Sequence, residues 1–152
     1  MRTSSLLFFA VLICTGLSAQ KITADKVPAS VASAFKTKFP AAEKIKWEIE
    51  DKTDYEANFD LKSEECSAKF DKDGKWLETE TEIKVSQLPT AVQQSLTKNF
   101  KDYKIKEAEQ VDLFDKGRVY EIEIEKGEET YEVQFSLSGE VIKKTTEKKE
   151  KY

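Results

Sequence analysis

Apolar positions recur along this chain in two rhythms, and each rhythm occurs twice. Val27, Val31, Ala34, Phe35 and Phe39 fall at i, i+4, i+7, i+8 and i+12, the stripe of a helix with one buried face. Leu88, Val92, Leu96 and Phe100 repeat it. Pro28 and Pro89 are expected just inside the two helix starts, where a missing amide costs nothing because first-turn N–H groups have no helical partner. Pro40 is expected to stop the first helix.

After each helix the period drops to two. Ile45, Trp47 and Ile49 alternate with Lys46, Glu48 and Glu50, and Tyr55, Ala57, Phe59 and Leu61 alternate with Glu56, Asn58 and Asp60. Further on, Tyr120, Ile122 and Ile124 alternate with Glu121, Glu123 and Glu125, and Tyr131, Val133, Phe135 and Leu137 with Glu132, Gln134 and Ser136. These are half-buried strands, expected near 44–50, 55–61, 66–71, 76–84, 105–113, 119–126, 129–137 and 140–146. Turn-forming residues separate them at Asp51 to Asp54, Asp71 to Gly74, Lys126 to Glu128 and Ser138-Gly139.

The chain is a repeat of itself. Val27-Pro28 recurs as Leu88-Pro89 and Phe39 as Phe100, at an offset of 61, whereas Tyr55-Glu56, Phe70 and Gly74 recur as Tyr120-Glu121, Phe135 and Gly139, at an offset of 65. The change of four places a longer connection in the second copy, around Asp112 to Arg118. The expected fold class is therefore α+β: a tandem repeat of α-β-β-β-β units, residues 20–85 and 86–146, forming an antiparallel sheet with two helices packed on one face. Residues 147–152 read as a flexible tail.

The amino terminus reads as a secretory signal. Arg2 precedes the apolar run Leu6 to Ile13, which is too short to anchor in a bilayer, and Gly16, Ser18 and Ala19 supply the small residues of a cleavage site. Ile13 stands where a lipoprotein signal needs a small residue before Cys14, so cleavage is expected after Ala19. The mature protein is then periplasmic or secreted, without membrane insertion, and Cys66 is its single thiol, read as a small apolar residue at a strand start.

Composition narrows the chemistry. The 25 Lys+Arg against 29 Asp+Glu give a net charge of -4, unlike the basic footprint of a nucleic-acid partner. With no His, catalytic triads, Cys-His dyads and His-ligated metals are excluded. Asp71, Asp73, Gly74 and Glu80 imitate part of a calcium loop, but Lys69 occupies its first ligand position, so a hairpin turn is expected and no metal or cofactor. No phosphate loop or nucleophile elbow is present, and we expect a protein that is not an enzyme.

Val27-Pro28 leading into a helix, Phe39-Pro40, Ile45-Lys46-Trp47-Glu48, Tyr55-Glu56-Ala57, Phe70-Asp71 with Gly74, Trp76-Leu77-Glu78-Thr79-Glu80, Leu88-Pro89 and the second Tyr-Glu strand set follow one another in order. In this order and spacing, over about residues 24 to 144, the chain resembles the secreted PepSY-like proteins of Bacteroidetes, described as β-lactamase-inhibitor-like. The resemblance implies a tandem α-β4 arrangement whose uncovered sheet face grips a protein or peptide, and a role such as inhibiting an envelope peptidase. No functional residue carries over with it, and the true inhibitors use disulfides that this chain lacks.

The uncovered face is expected to carry Glu48, Glu50, Glu56, Asp60, Glu121, Glu123, Glu125 and Glu132, with Lys46 and Lys69 among them. It is either a solvated surface braced by cross-strand Glu-Lys pairs or a docking surface for a cationic partner. Trp76, Glu78, Glu80, Glu121 and Glu123 are the candidate binding residues. A regular strand puts Trp76 among the acids as an anchor, and a bulge after Gly74 turns it inward. The rival reading is a periplasmic carrier or sensor of a small ligand or cation, which would need a deep pocket.

Overall fold

A computed structural model describes residues 20–50 and 53–147, and of Glu147 the backbone only. The expected cleavage after Ala19, Cys14 and the tail beyond Glu147 lie outside the described residues.

Among the described residues the chain forms two α-helices and nine strands. Their order is β1 (Gln20–Ile22), α1 (Ala29–Lys38), β2 (Glu43–Glu50), β3 (Asp54–Leu61), β4 (Glu64–Phe70), β5 (Trp76–Glu82), α2 (Thr90–Asn99), β6 (Lys104–Leu113), β7 (Gly117–Lys126), β8 (Glu129–Phe135) and β9 (Val141–Glu147). A single 3-10 turn precedes each helix, at Ala24–Lys26 and Val85–Gln87. The strands make one antiparallel sheet in sequence order, β1 to β9.

The doubling extends to element boundaries. Both helices have ten residues and begin 61 residues apart, at Ala29 and Thr90, whereas β4 and β8, and β5 and β9, begin 65 apart. The four extra residues lengthen a hairpin rather than a loop: β2 and β3 have eight residues each, β6 and β7 ten. β1 was not foreseen. It pairs Gln20 with Ile49, as Thr81 pairs with Gln110, again 61 residues apart, so β1 stands to the first unit as the end of β5 stands to the second.

The prolines sit one residue outside the helices rather than just inside them. Pro28 and Pro89 are extended N-cap residues, and their carbonyls accept the first helical bonds from Ala32 and Gln93, each at 3.0 Å. The missing amide remains harmless there. At the other end, the N–H of Phe39 and of Phe100 closes the last turn on Phe35 and Leu96.

Cross-strand register shows that both helices cover the same face, because residues directly opposite share a side. One row runs Ile22, Trp47, Ala57, Ala68, Thr79, and another runs Phe59, Cys66, Thr81, Gln110, Tyr120, Phe135. Val31 and Phe35 of α1 pack over Trp47, Ala57, Phe59, Ala68 and Phe70, while Val92 and Leu96 of α2 pack over Ala108, Ile122, Ile124, Val133 and Phe135. Phe35 anchors the first core edge-on to Trp47, Phe59 and Phe70, with centroids 5.2, 5.0 and 6.2 Å away. Such aromatic pairs add about 0.5–1.5 kcal/mol each beyond area burial.

Two apolar residues depart from the expected alternation. Ile45 is exposed rather than inward, because Lys44 takes a positive φ of 52° and the ladder shifts register between Glu43 and Lys46. Leu137 is exposed too, because β8 stops at Phe135 and the chain turns at Gly139. Cys66 is the third residue of β4 rather than at its start, buried, with its thiol against Thr81 Oγ1 at 3.7 Å. Burial pushes that thiol up from its ordinary value.

Candidate functional site on the open sheet face

The face opposite the helices is built by the alternate residues of the same strands. One row reads Lys21, Glu48, Glu56, Lys69, Glu78, Leu113, and the next Lys46, Asn58, Ser67, Glu80, Val111, Val119. Then come Glu82, Glu109, Glu121, Gln134, Lys143, and Glu107, Glu123, Glu132, Thr145. Glutamates therefore stand directly opposite glutamates at Glu48–Glu56, Glu82–Glu109, Glu109–Glu121, Glu107–Glu123 and Glu123–Glu132. This differs from a face braced throughout by cross-strand Glu-Lys pairs.

Compensation is uneven. On the first unit, Lys69 binds Glu78 at 2.8 Å and Glu50 at 2.9 Å. Burial works against its ammonium, yet hydrogen bonds to Glu78 and Glu50 hold it above the ordinary lysine range. Burial also pushes Glu50 up, but the Lys69 hydrogen bond and charge outweigh it and leave that carboxyl below its usual value. Glu80 accepts from Ser67 at 2.9 Å and Glu121 from Gln134 at 2.6 Å.

Other carboxyls on this face shift the other way. Burial, followed by the charges of Glu80, Glu107, Glu121 and Glu132, pushes Glu109 up to about 8. Burial and neighbouring Glu50 push Glu56 up to about 7. Glu80, Glu107 and Glu121 are raised by burial first and by facing carboxylates after it. Val111 and Val119 are buried on this acidic side and belong to neither helix-covered core. A cleft of about 460 Å3 opens here, lined by Glu56, Ser67, Glu80, Glu82, Glu107 and Glu109, with Lys44 and Lys46 also on its wall.

Of the expected binding residues, Glu78, Glu80, Glu121 and Glu123 share this face. Trp76 does not. The ladder shifts between Lys69 and Phe70, pairing Lys69 with Glu78 and buried Phe70 with Trp76, so the indole packs against the first helix-covered core. This is the inward alternative, produced by a bulge at Leu77. Glu107 and Glu109 were missed because a second bulge, between Ile105 and Glu107, interrupts the alternation that would have marked them.

The Asp71 turn satisfies itself. Asp71 Oδ1 accepts the amides of Asp73 and Lys75, each at 2.9 Å, and Asp73 pairs with Lys72, which is the chemistry of an Asx turn. No group of three or more candidate metal-binding side chains occurs among the described residues. Nor is any helix among them long and apolar enough to cross a membrane.

The fold has known counterparts. A structure described as "putative periplasmic proteins" from Bacteroides eggerthii is 25% identical, with a TM-score of 0.74 over 79% of this chain and 88% of that one. A BLIP-like protein from Bacteroides fragilis is 22% identical, with a TM-score of 0.72 over 82% and 92% of the two chains. A DUF2874 family protein from Bacteroides uniformis is 21% identical, with a TM-score of 0.73 over 78% and 88%. No curated protein matches the chain. The family described as "Putative beta-lactamase-inhibitor-like, PepSY-like" matches twice, over residues 15–66 and 60–143, and the chain belongs to that family.

Proposed function

We propose that this chain is a non-catalytic, exported binding protein, with repeats spanning 20–85 and 86–146, that holds a basic protein or peptide segment on its open sheet face. Inhibition of an envelope peptidase is the role such a grip would serve. The observation that carries the reading is the run Glu82, Glu109, Glu121, three carboxylates opposed across adjacent strands beside a cleft. Like charges directly opposite one another cost stability, and partial burial raises that cost. A cation laid over the run relieves both, so the arrangement favours a positively charged occupant. Glu78, Glu80 and Glu123 flank the run on the same face.

The family's inhibitor-like description supports a protein-gripping role, and the periplasmic description of the Bacteroides eggerthii structure supports an exported location. The absence of His supports a non-catalytic one. Fluorescence anisotropy of a labelled lysine-rich peptide tests the face directly. Binding should weaken with salt and drop by about tenfold or more, a change of ~1.4 kcal/mol, when Glu80, Glu109 and Glu121 are all changed to Gln. Equal affinity of wild type and triple variant would rule the face out.

A further inference from the structure

The helix-covered side carries a second surface at the boundary between the units, built from residues that break the internal symmetry. Trp76 Nε1 donates to Thr79 Oγ1 at 2.9 Å. The Lys38 ammonium, from the last residue of α1, lies 3.7 Å from the Trp76 ring centroid. Phe114, from the turn between β6 and β7, meets Trp76 edge-on with centroids 6.3 Å apart, and the Lys75 ammonium stands 4.2 Å from the Phe114 ring. The order in space is cation, ring, ring, cation. Where the first unit has Lys38, Lys75 and Trp76, the second has Asn99, Glu140 and Val141.

Phe114 comes from the hairpin that the second unit lengthens by four residues. It is 57% exposed, yet its N–H is fixed to Leu77 O at 2.8 Å, so the ring is presented rather than loose. A cleft of about 430 Å3 adjoins it, lined by Lys38, Phe39, Trp76, Thr79, Asp112 and Leu113, within the range of about 300–1,000 Å3 usual for ligand sites. Asp112 is already engaged by Arg118, at 2.7 and 3.0 Å. Among the described residues Lys38 and Lys75 lie over rings and form no ion pair.

We propose that the Lys38–Trp76–Phe114–Lys75 stack and its cleft dock an acidic peptide segment carrying a large apolar side chain. Two ammonium groups that form no ion pair among the described residues complement carboxylates. The rings between them offer an apolar anchor site. Cations at both ends of a line of rings suit charges spread along a chain better than one compact anion.

The test is anisotropy of a labelled peptide of alternating Glu and Leu, beside a Lys/Leu peptide, a Glu/Ser peptide and vesicles of anionic phospholipid. The Lys/Leu peptide should bind the acidic face instead, and at the stack the expected result is salt-sensitive binding of the Glu/Leu peptide but not of the Glu/Ser peptide or the vesicles. That binding should fall about tenfold or more in Phe114→Ser and in the Lys38→Gln, Lys75→Gln double variant, both altering exposed side chains. Glu80→Gln with Glu121→Gln, on the opposite face, should leave it unchanged, which separates this docking site from the one proposed above. Equal binding of the Glu/Ser peptide, binding of the vesicles only, or wild-type dimers by sedimentation that Phe114→Ser dissolves would each overturn the proposal.

Discussion

Trp47 stands directly opposite Ala57 across β2 and β3, and the equivalent pair in the second unit, Ala108 opposite Ile122, reverses the order of large and small. All four are buried. Each core thus fills the same site beneath its helix from a different strand, and the pair rather than either residue is the unit of packing. Ala57→Ile should overpack the first core at about 1–3 kcal/mol, and Trp47→Ala should leave a cavity costing about 3–5 kcal/mol. The double variant, which installs the second unit's arrangement, should lose at least about 0.5 kcal/mol less than the two singles combined. Urea denaturation of the four proteins measures this, and strict additivity would contradict paired packing.

The turns that return each unit to its helix admit no side chain. A Cβ on Gly139, where φ is +80°, would collide with Ala91 O, and one on Gly74, where φ is +87°, would lie 2.7 Å from Ser30 O. Gly127 also has a positive φ, but with open space around it. Gly127→Ala should therefore cost only the conformational penalty, about 1 kcal/mol. Gly74→Ala and Gly139→Ala should cost about 2 kcal/mol or more, lowering Tm by roughly 5–10 °C. Similar melting points for all three variants would show that the helix contact is not tight.

The acidic face makes stability depend on pH. An ordinary Glu titrates at 4.5, whereas Glu109 is raised to about 8 and Glu56 to about 7. Between those values the native state holds protons that the unfolded chain has released, so stability falls as pH rises and the loss is complete above about 8. Glu50, held low by Lys69, works in the opposite sense, its contribution being lost as pH falls. After allowance for solvent screening, Glu56 and Glu109 are expected to contribute about 1 kcal/mol each. Tm should drop between pH 5 and pH 8.5, and Glu109→Gln should flatten the drop; a profile identical in wild type and variant would refute the assignment.

Affinity for a cation should run the other way. A basic ligand favours the ionised carboxylates, so the lysine-rich peptide should bind more tightly as pH rises from 6 to 9 and should release protons. Isothermal titration in buffers of different ionisation enthalpy reads that release directly, and pH-independent affinity would place the peptide away from Glu56 and Glu109.

The periodicities carry most of the architecture, because Val31, Phe35, Val92 and Leu96 can be buried only on one helix stripe and Phe70 and Phe135 only on one strand side. Gly74 and Gly139 mark the turns by residue type, whereas the helix carbonyls that exclude a side chain there emerge only from the packing. Bulges are where the reading fails. A single extra residue at Leu77 carries Trp76 to the helix side, and others near Lys44 and Lys106 expose Ile45 and conceal the register of Glu107 and Glu109. Alternation counts residues, and a bulge changes the count without changing composition. β1 escaped because three residues are too few for a period, although Ile22 and Ile83 stand at the repeat offset of 61. The opposed glutamates needed the cross-strand register, which no single strand contains.

The central claim is that the open acidic face is where a partner sits. Carbodiimide crosslinking of the protein bound to the lysine-rich peptide, read by mass spectrometry, tests it most directly because the reagent couples a carboxylate to an amine with no spacer between them. Links from Glu80, Glu109 and Glu121 to peptide lysines are predicted, with capture lost when all three are Gln. Links confined to the helix-covered side, or capture indifferent to the triple substitution, would contradict the account.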